Sequence, residues 1–286
     1  MAANCAVWAG PPRSVWRKEF SVFTRIFSSM KVSIVTVVYN NVGTIASALE
    51  SVRSQDYPNI EYIVIDGKST DGTLDILKEH EDEIDILVSE EDKGIYDAMN
   101  KGVERATGEV VALLNSDDIY WDEHVISDVV KAFQDHPEAE IVYGNIAYVR
   151  GGEEQKVVRH WKSRPYYERF FEEGHVPPHT GFYVKQKCYR EGGLFKPELR
   201  LAADYDLMFR FMRVRSFKPI YIDRNMVRMR LGGATNQSFA NILNGNKEIV
   251  QAWKSYGIRP PVFFLFRKLW HRLTQFSAAK DQNAAA

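Results

Sequence analysis

Two adjacent carboxylates, Asp117 and Asp118, follow an apolar stretch of strand length and are preceded by the amide of Asn115 and the hydroxyl of Ser116. Oxygen ligands of this kind suit a hard divalent cation that keeps open coordination positions for phosphate oxygens. Helix capping by Asp118 is the alternative, and it is the simpler interpretation of the motif when it is considered alone. Taken alone, the motif therefore leaves metal binding and capping as alternatives.

Asp66 ends another apolar stretch, and its carboxylate is suited to accept hydrogen bonds from N–H and hydroxyl groups of a ligand. It opens the turn sequence Asp-Gly-Lys-Ser-Thr, so capping of that turn is the alternative. Lys93, which precedes Gly94, is placed to bring a cation and bare backbone near a phosphate. An ordinary surface lysine is the simpler interpretation there.

Asp204 and His179 are the candidates for acid–base chemistry and acceptor contact. Asp204 lies at the start of a predicted helix, where the helix dipole favours an ionised carboxylate that can act as a general base if it faces a cleft. Capping of that helix is the alternative. His179 follows two prolines, and it either hydrogen-bonds a phosphate, shapes an acceptor pocket or is structural.

Alternating strands and helices must position these side chains. Apolar, mostly β-branched stretches predict strands at 31–38, 61–65, 84–88 and 109–114, and the intervening segments repeat apolar residues at helical spacing. This alternation predicts an α/β fold with a mostly parallel central sheet flanked by helices. Ligands of such sheets bind at the carboxyl ends of the strands, where Tyr39, Asp66 and the 115–118 motif all lie.

The second half of the chain is less regular. It predicts strands at 140–149 and 180–184, and a helix from Asp204 that buries Leu207 and Met208 while Asp206 and Arg210 lie on its exposed side. Since no linker, internal repeat or low-complexity tract interrupts it, we predict one continuous domain over 31–253. Residues 1–30 and 254–286 are then an N-terminal extension and a C-terminal helix with its tail.

Charge is unevenly distributed along the 286 residues, although the formal net charge is only −1. Residues 49–145 carry a net charge of −18 and residues 146–248 carry +8. A charged ligand bound between the halves would explain this division, and scattered surface charge is the alternative. With two cysteines only, a disulfide framework is excluded, and we predict a reducing, cytoplasmic environment. The basic blocks contain no nucleic-acid recognition motif, so we predict no nucleic-acid partner.

Both ends of the chain have amphipathic patterns. After Pro260 and Pro261, aromatic and aliphatic residues alternate with Arg267, Lys268 and Arg272, which predicts a basic amphipathic helix. We predict that 258–276 contacts an anionic membrane surface peripherally, on the cytoplasmic face of the inner membrane. Packing against the domain or a second subunit is the alternative. Residues 1–30 have a similar aromatic and basic stripe, which predicts an amphipathic surface helix. The alternative is that Met30 is the true start of the protein.

Four linked motifs, at 35–40, 65–73, 92–102 and 115–118, together resemble the family 2 glycosyltransferases. The resemblance covers roughly residues 31–230 and is closest to bacterial enzymes of exopolysaccharide and O-antigen (lipopolysaccharide) biosynthesis. It implies the GT-A fold, a Rossmann-like fold of nucleotide-diphospho-sugar transferases. It also implies an inverting transfer of a hexosyl or N-acetylhexosaminyl group from a nucleotide-sugar donor to a saccharide or lipid-linked saccharide.

The resemblance also implies roles for the donor-side residues. Thr36 and Tyr39 would contact the base and ribose, and Asp66 would contact the uracil ring of a UDP-sugar. The Asp-x-Asp-like motif, with Asn115 and Ser116 in its first positions, would hold the ribose and the Mg²⁺ or Mn²⁺ that bridges the diphosphate. The metal ligands would be Asp117, Asp118 or both. We add Lys93 to this nucleotide-sugar set.

On the acceptor side, the resemblance places the general base on Asp204, and it places His179 and Arg210 near the acceptor or a phosphate. Two positions depart from the usual pattern of the family. Asn115 replaces a frequent Asp, so one negative charge is absent from the motif, and Ala203 replaces a frequent Glu before the catalytic Asp. A non-catalytic nucleotide-sugar or saccharide-binding protein of the same fold is the alternative function.

Overall fold

The computed structural model describes residues 30–150, 156–231 and 239–270. Four parallel strands build its N-terminal half: β1 (Val32–Val38), β2 (Ile60–Asp66), β3 (Ile86–Ser89) and β4 (Val110–Asn115). β1 and β2 are buried along their whole length, which explains why their sequences are nearly continuously apolar. The order β3-β2-β1-β4 brings the carboxyl ends of all four strands to one edge of the sheet. The predicted α/β fold is confirmed.

Four helices accompany these strands: α1 (Ile45–Arg53), α2 (Thr73–Glu79), α3 (Ile95–Arg105) and α4 (Val125–Asp135). A short 3₁₀ turn at Glu81–Glu83 follows α2. Helix α3 buries Met99 and Val103, and it approaches β1 closely at Gly102. A Cβ at Gly102 would lie 2.2 Å from a methyl carbon of Val35, so only glycine permits this approach. Ile95, in the first turn of α3, remains 48% exposed.

The second half adds five strands: β5 (Ile119–Tyr120), β6 (Ile141–Arg150), β7 (Lys156–Trp161), β8 (Phe182–Lys185) and β9 (Pro219–Arg230). Within the described ranges, all nine strands form one sheet, which continues from β4 in the order β8-β6-β9-β5, with β7 on β6. β8 is antiparallel to both β4 and β6, so the sheet is mixed beyond its parallel half. The irregular segment 162–178 leads through a 3₁₀ turn at His179–Gly181 into β8, and antiparallel pairing needs no crossover helix.

The remaining helices are α5 (Gln186–Gly192), α6 (Ala203–Phe209) with a π-helical turn at Arg210–Val214, and α7 (Phe239–Ser255). The prediction that Asp206 and Arg210 are exposed on α6 is wrong, because both are buried. Asp206 Oδ1 accepts hydrogen bonds from Lys196 Nζ (3.1 Å) and Tyr256 Oη (2.9 Å). Arg210 Nη2 donates to the carbonyl oxygen of Leu194 (2.6 Å). Segments distant in sequence therefore cover the helix face that the local pattern marked as polar.

The C-terminal part of the described chain packs on the domain through aromatic side chains. Trp253 is fully buried, with ring centroids 4.4 Å from Phe209 and 5.3 Å from Phe264. Phe264 begins a helical segment at 264–270. Residues 262–270 also expose six large apolar side chains: Val262, Phe263, Leu265, Phe266, Leu269 and Trp270. Within residues 30–150, 156–231 and 239–270, no helix is long and apolar enough to span a bilayer. The amphipathic patterns at 1–29 and 271–286 lie outside the described residues.

Glu61, on β2, joins the starts of β1 and β4. Its carboxylate accepts hydrogen bonds from Lys31 Nζ (2.6 Å), Ser33 Oγ (2.5 Å), and the Thr107 hydroxyl (2.6 Å) and amide (2.8 Å). Burial alone would raise the pKa of Glu61, but these hydrogen bonds outweigh that effect and lower the pKa from 4.5 to about 2. The charged carboxylate is therefore better stabilised in the folded state than in the unfolded chain.

We expect Glu61→Gln to lower the free energy of unfolding by about 1–3 kcal/mol at pH 7. A lowered folded-state pKa contributes stability above about pH 4.5 that is lost as the pH falls toward 2. Urea denaturation should therefore show the gap between parent and variant narrowing between pH 7 and about pH 3. Glu81→Gln, at an exposed position, is the matched control. The prediction would be contradicted if parent and Glu61→Gln differed in free energy of unfolding by the same amount at pH 7 and at about pH 3.

Candidate active site

A cavity of about 650 Å³ opens at the carboxyl ends of β1 and β4. One wall consists of the residues that follow these two strands and the first turns of α3. The other wall consists of β7, parts of 162–179, the start of α6, and the inner faces of α7 and 264–270. This position at the strand ends is where open α/β sheets bind ligands.

The donor-side wall brings together four of the predicted residues. Tyr39, Asn115, Ser116 and Asp117 all line the cavity, and Tyr39 is 65% exposed. Asn41 connects the loops after β1 and β4, because its Nδ2 donates to Ser116 Oγ over 2.8 Å. The sheet therefore places the two strand-end motifs side by side, although they are separated by more than 70 residues in sequence.

Asp117 and Asp118 differ sharply in environment. Asp117 lines the cavity, whereas Asp118 lies behind it, is fully buried and accepts a hydrogen bond from Asn115 Nδ2 (3.0 Å). Burial, and then the charge of Asp117, raise the pKa of Asp118 well above its usual range, against the opposing effects of Asn115 and Arg230. The open carboxylate is that of Asp117.

The residues at the end of β4 fit a divalent cation that is bound together with a nucleotide. Among the described side chains, no three His, Cys, Asp or Glu residues cluster as a complete protein cage. Mg²⁺ and similar ions bound to nucleotides need only one or two carboxylates, since phosphates and water supply the other ligands. Asp117 satisfies that requirement, and Asn115 Oδ1, a buried oxygen without a hydrogen-bond donor, belongs to the same motif and to a residue that lines the same cavity.

Two predicted base-contacting residues do not reach the cavity. Thr36 is fully buried within β1, where its hydroxyl accepts a hydrogen bond from Tyr62 Oη (3.1 Å). Asp66 is also fully buried, with Oδ1 bound by Ser69 Oγ (2.5 Å) and Oδ2 by Ser89 Oγ (2.6 Å). The turn-capping alternative for Asp66 is therefore the arrangement that the structure contains.

Lys93 and Arg210 are likewise absent from the described lining of the cavity. Lys93 is exposed, and its backbone amide donates to Asp97 Oδ2 (3.0 Å), which caps the start of α3. Arg210 is buried beside Asp206, with Nε 3.8 Å from Asp206 Oδ2, so its guanidinium is engaged by this carboxylate outside the described cavity lining.

Asp204 and His179 meet inside the cavity. Asp204 Oδ1 accepts hydrogen bonds from the Tyr205 amide (2.7 Å) and from Tyr96 Oη (3.3 Å), and Asp204 Oδ2 lies 3.6 Å from His179 Nδ1. His179 Nε2 is in turn 3.3 Å from Asn115 Nδ2. Burial, and then the charge of Asp204, raise the pKa of Tyr96 well above its usual range, so Tyr96 remains a proton donor at neutral pH. Its hydroxyl therefore holds one oxygen of Asp204 in place.

Several lining residues were not anticipated from the sequence: Asp92, Tyr96, Arg159, Trp161 and Arg200. Asp92 and Tyr96 belong to the 92–102 motif, where a strand–loop–helix pattern leading to the same sheet edge was the available signal. Arg159, Trp161 and Arg200 have no such signal, because they belong to irregular or edge segments whose position depends on the whole fold.

The solved structures most informative for the fold are two complexes of glycosyltransferases. TarS from S. aureus with UDP-GlcNAc has a TM-score of 0.60 at 17% identity, covering 87% of this chain and 79% of that one. The mannosyltransferase PcManGT from Pyrobaculum calidifontis, with GDP-Man and Mn²⁺, has a TM-score of 0.61 at 20% identity. The match covers 96% of this chain and 81% of that one. These likenesses show the GT-A fold.

Sequence comparison covers shorter stretches. The chain is 32% identical over 117 residues to a PGL/p-HBAD biosynthesis glycosyltransferase of Mycobacterium bovis, which is 40% of this chain and 46% of that protein. It is 43% identical over 90 residues to the putative teichuronic acid biosynthesis glycosyltransferase TuaG of Bacillus subtilis, which is 30% of this chain and 36% of that protein. This chain thus spans less than half the length of each of these relatives. The family model for glycosyl transferase family 2 matches residues 33–188, more than half of the chain, and the protein belongs to that family.

Proposed function

We propose that the protein transfers a sugar, with inversion, from a nucleoside-diphosphate donor to a hydroxyl of a saccharide or lipid-linked saccharide. The observation that carries this proposal is a single cavity lined by both Asp117 at the end of β4 and Asp204 at the start of α6. An inverting displacement needs a base near the attacking hydroxyl and charge stabilisation near the leaving diphosphate. The two carboxylates belong to different walls, which meet where Tyr96 contacts Asp204, and they are suited to these separate tasks.

In the proposed reaction, Asp204 acts as general base. Its Oδ1 is held by Tyr96 and the Tyr205 amide, which leaves Oδ2 to take the proton of the acceptor hydroxyl. The acceptor oxygen forms a bond to the anomeric carbon while the bond from that carbon to the diphosphate oxygen breaks. His179, 3.6 Å from Oδ2, orients the carboxylate toward the acceptor. The diphosphate departs on the opposite face with the electron pair of the broken bond.

Asp117 would hold the divalent cation, Mg²⁺ or Mn²⁺, with Ser116 and Asn115 beside it. When bound, the cation would supply Lewis-acid stabilisation of the negative charge on the leaving diphosphate. Two observations support this assignment: Asp117 is the carboxylate of the motif that lines the cavity, and no Lys or Arg lines the donor-side wall among the described residues. The likeness to PcManGT, whose structure contains Mn²⁺, agrees with it.

UDP-sugars are the first donors to test. The carboxylate of Asp66 is fully engaged within the protein and gives no support for uracil recognition, whereas the likeness to the TarS complex with UDP-GlcNAc supports UDP-sugars. We expect slow release of nucleoside diphosphate from one member of a UDP- and GDP-sugar panel, even without acceptor, and we expect EDTA to suppress it. Nucleotide-sugar binding without release of diphosphate, also in the presence of saccharide acceptors, would favour the non-catalytic alternative.

Peripheral contact with an anionic membrane through 258–276, on the cytoplasmic face, is part of the proposed function. Its support is the row of exposed apolar residues on 262–270 beside the exposed side chain of Arg267; residues 271–276 lie outside the described part. We expect Phe263→Ser with Phe266→Ser to weaken binding to anionic liposomes by roughly tenfold per residue. Leu243→Ser, at an exposed position of α7, is the matched control in co-sedimentation. Equal sedimentation of parent and variant would contradict this contact.

A further inference from the structure

The charged residues that line the cavity are divided between its two walls. On the donor-side wall, the charged residues are Asp92 and Asp117. On the opposite wall, built from residues after 147, Asp204 is the one carboxylate among the described lining residues. Five basic side chains line that wall: Arg159, Lys162, Arg164, Arg200 and Lys268. We call these five residues the basic wall.

The members of the basic wall differ in what they already contact. Arg159 lies 4.7 Å over the ring of Tyr148, and Lys162 forms an exposed ion pair with Asp223 (3.0 Å). Arg164 and Arg200 are exposed, and neither forms an ion pair with any carboxylate in the described ranges. The Arg164 side chain contacts the Tyr167 hydroxyl, a neutral partner that leaves the charge of the guanidinium uncompensated. Both guanidinium groups can therefore attract an anion that enters the cavity.

Lys268 reaches the cavity because the 264–270 helix lies close to the segment before His179. Gly174, with φ of +84°, makes this approach possible, since a Cβ there would lie 2.6 Å from the backbone nitrogen of Lys268. The Lys268 ammonium then lies 5.8 Å from the centre of the Tyr205 ring. The C-terminal segment is thus built into the basic wall next to Asp204, the proposed base.

We propose that the acceptor is anionic and that its phosphate or carboxylate binds Arg164 and Arg200 on the basic wall. This inference rests on the proposed function, because it assigns that wall to the acceptor. Cations gathered in one cavity repel one another and attract an anion, and guanidinium groups bind carboxylate and phosphate in a bidentate manner. The negative charge comes either from a phosphate of a lipid carrier or from an acidic sugar.

The test uses calorimetric titration of the full chain with three probes: farnesyl phosphate, methyl glucuronide and neutral methyl glucoside. Each is titrated with and without saturating UDP and Mn²⁺. We expect at least one anionic probe to bind roughly tenfold or more tightly than methyl glucoside, also when UDP is present. Farnesyl phosphate binding indicates a lipid-borne phosphate, and methyl glucuronide binding indicates an acidic sugar.

Arg164→Gln and Arg200→Gln should each weaken the anionic probe roughly tenfold and leave methyl glucoside unaffected. Lys131→Gln, an exposed lysine on α4 outside the described cavity lining, is the matched control and should change neither. Equal affinity for charged and neutral probes, no binding of either anion, unchanged affinity in both arginine variants, or displacement of the anion by UDP would each overturn the proposal. Failure of UDP itself to bind would instead contradict the proposed function.

Discussion

Replacement of Asp204 by Asn is expected to lower sugar transfer by about 10²–10⁴-fold while nucleotide binding persists. The amide has nearly the same shape as the carboxylate and can still accept at Oδ1 from Tyr96 and the Tyr205 amide, but it cannot take a proton from the acceptor hydroxyl. The measurement is transfer rate with a defined acceptor, together with the dissociation constant of UDP by calorimetry.

Asp206→Asn provides the matched control, because Asp206 lies two residues further along the same helix and outside the described cavity lining. Its carboxylate contacts Lys196 and Tyr256, so this variant should lose thermal stability and retain most of its activity per folded molecule. The general-base assignment is wrong if Asp204→Asn transfers sugar at nearly the parent rate.

Asp117→Asn is expected to remove the metal-dependent part of nucleotide binding. In the parent protein, Mn²⁺ should tighten UDP binding, because the cation neutralises charge between the carboxylate and the diphosphate. Changes around a metal ligand typically cost about 10–100-fold in metal affinity, and loss of a ligand should cost at least that much. Calorimetry with UDP, with and without Mn²⁺, measures the difference directly.

The neighbouring variant Asp118→Asn makes this a paired test. Asp118 is fully buried and turned toward Asn115, so its replacement should leave the effect of Mn²⁺ on UDP affinity largely intact. If Asp118→Asn abolishes the effect of Mn²⁺ and Asp117→Asn does not, the assignment is reversed. If neither variant changes it, this motif holds no cation.

The parallel half of the fold was predictable because each strand there is a nearly continuous apolar segment. Once these strands are assigned, Tyr39 and Asp117 fall just after strand ends. The burial of individual polar side chains was not predictable. The carboxylate of Asp66 and the hydroxyl of Thr36 are suited to contact a ligand, yet they accept hydrogen bonds from other side chains of the protein: Ser69 and Ser89 for Asp66, and Tyr62 for Thr36. The local sequence pattern does not specify those contacts.

The second half shows a different limit of sequence reasoning. The spacing of Asp206 and Arg210 marks a polar helix face, but Lys196 and Tyr256 cover it from segments before and after the helix. In the sequence, four members of the basic wall were visible only as part of the positive block 146–248, and Lys268 only as part of the basic C-terminal pattern. Which of its residues face the cavity depends on β7, α6 and the C-terminal helix meeting at one place.

The close approach of α3 to β1 has a practical consequence for protein engineering. Gly102 and Ile95 lie on the same helix, yet any side chain at 102 collides with Val35, whereas the half-exposed Ile95 faces the cavity. A mutagenesis library aimed at changing donor preference can therefore randomise position 95 at little risk to folding. It should leave position 102 untouched, because replacements there would be eliminated before any catalytic property was sampled.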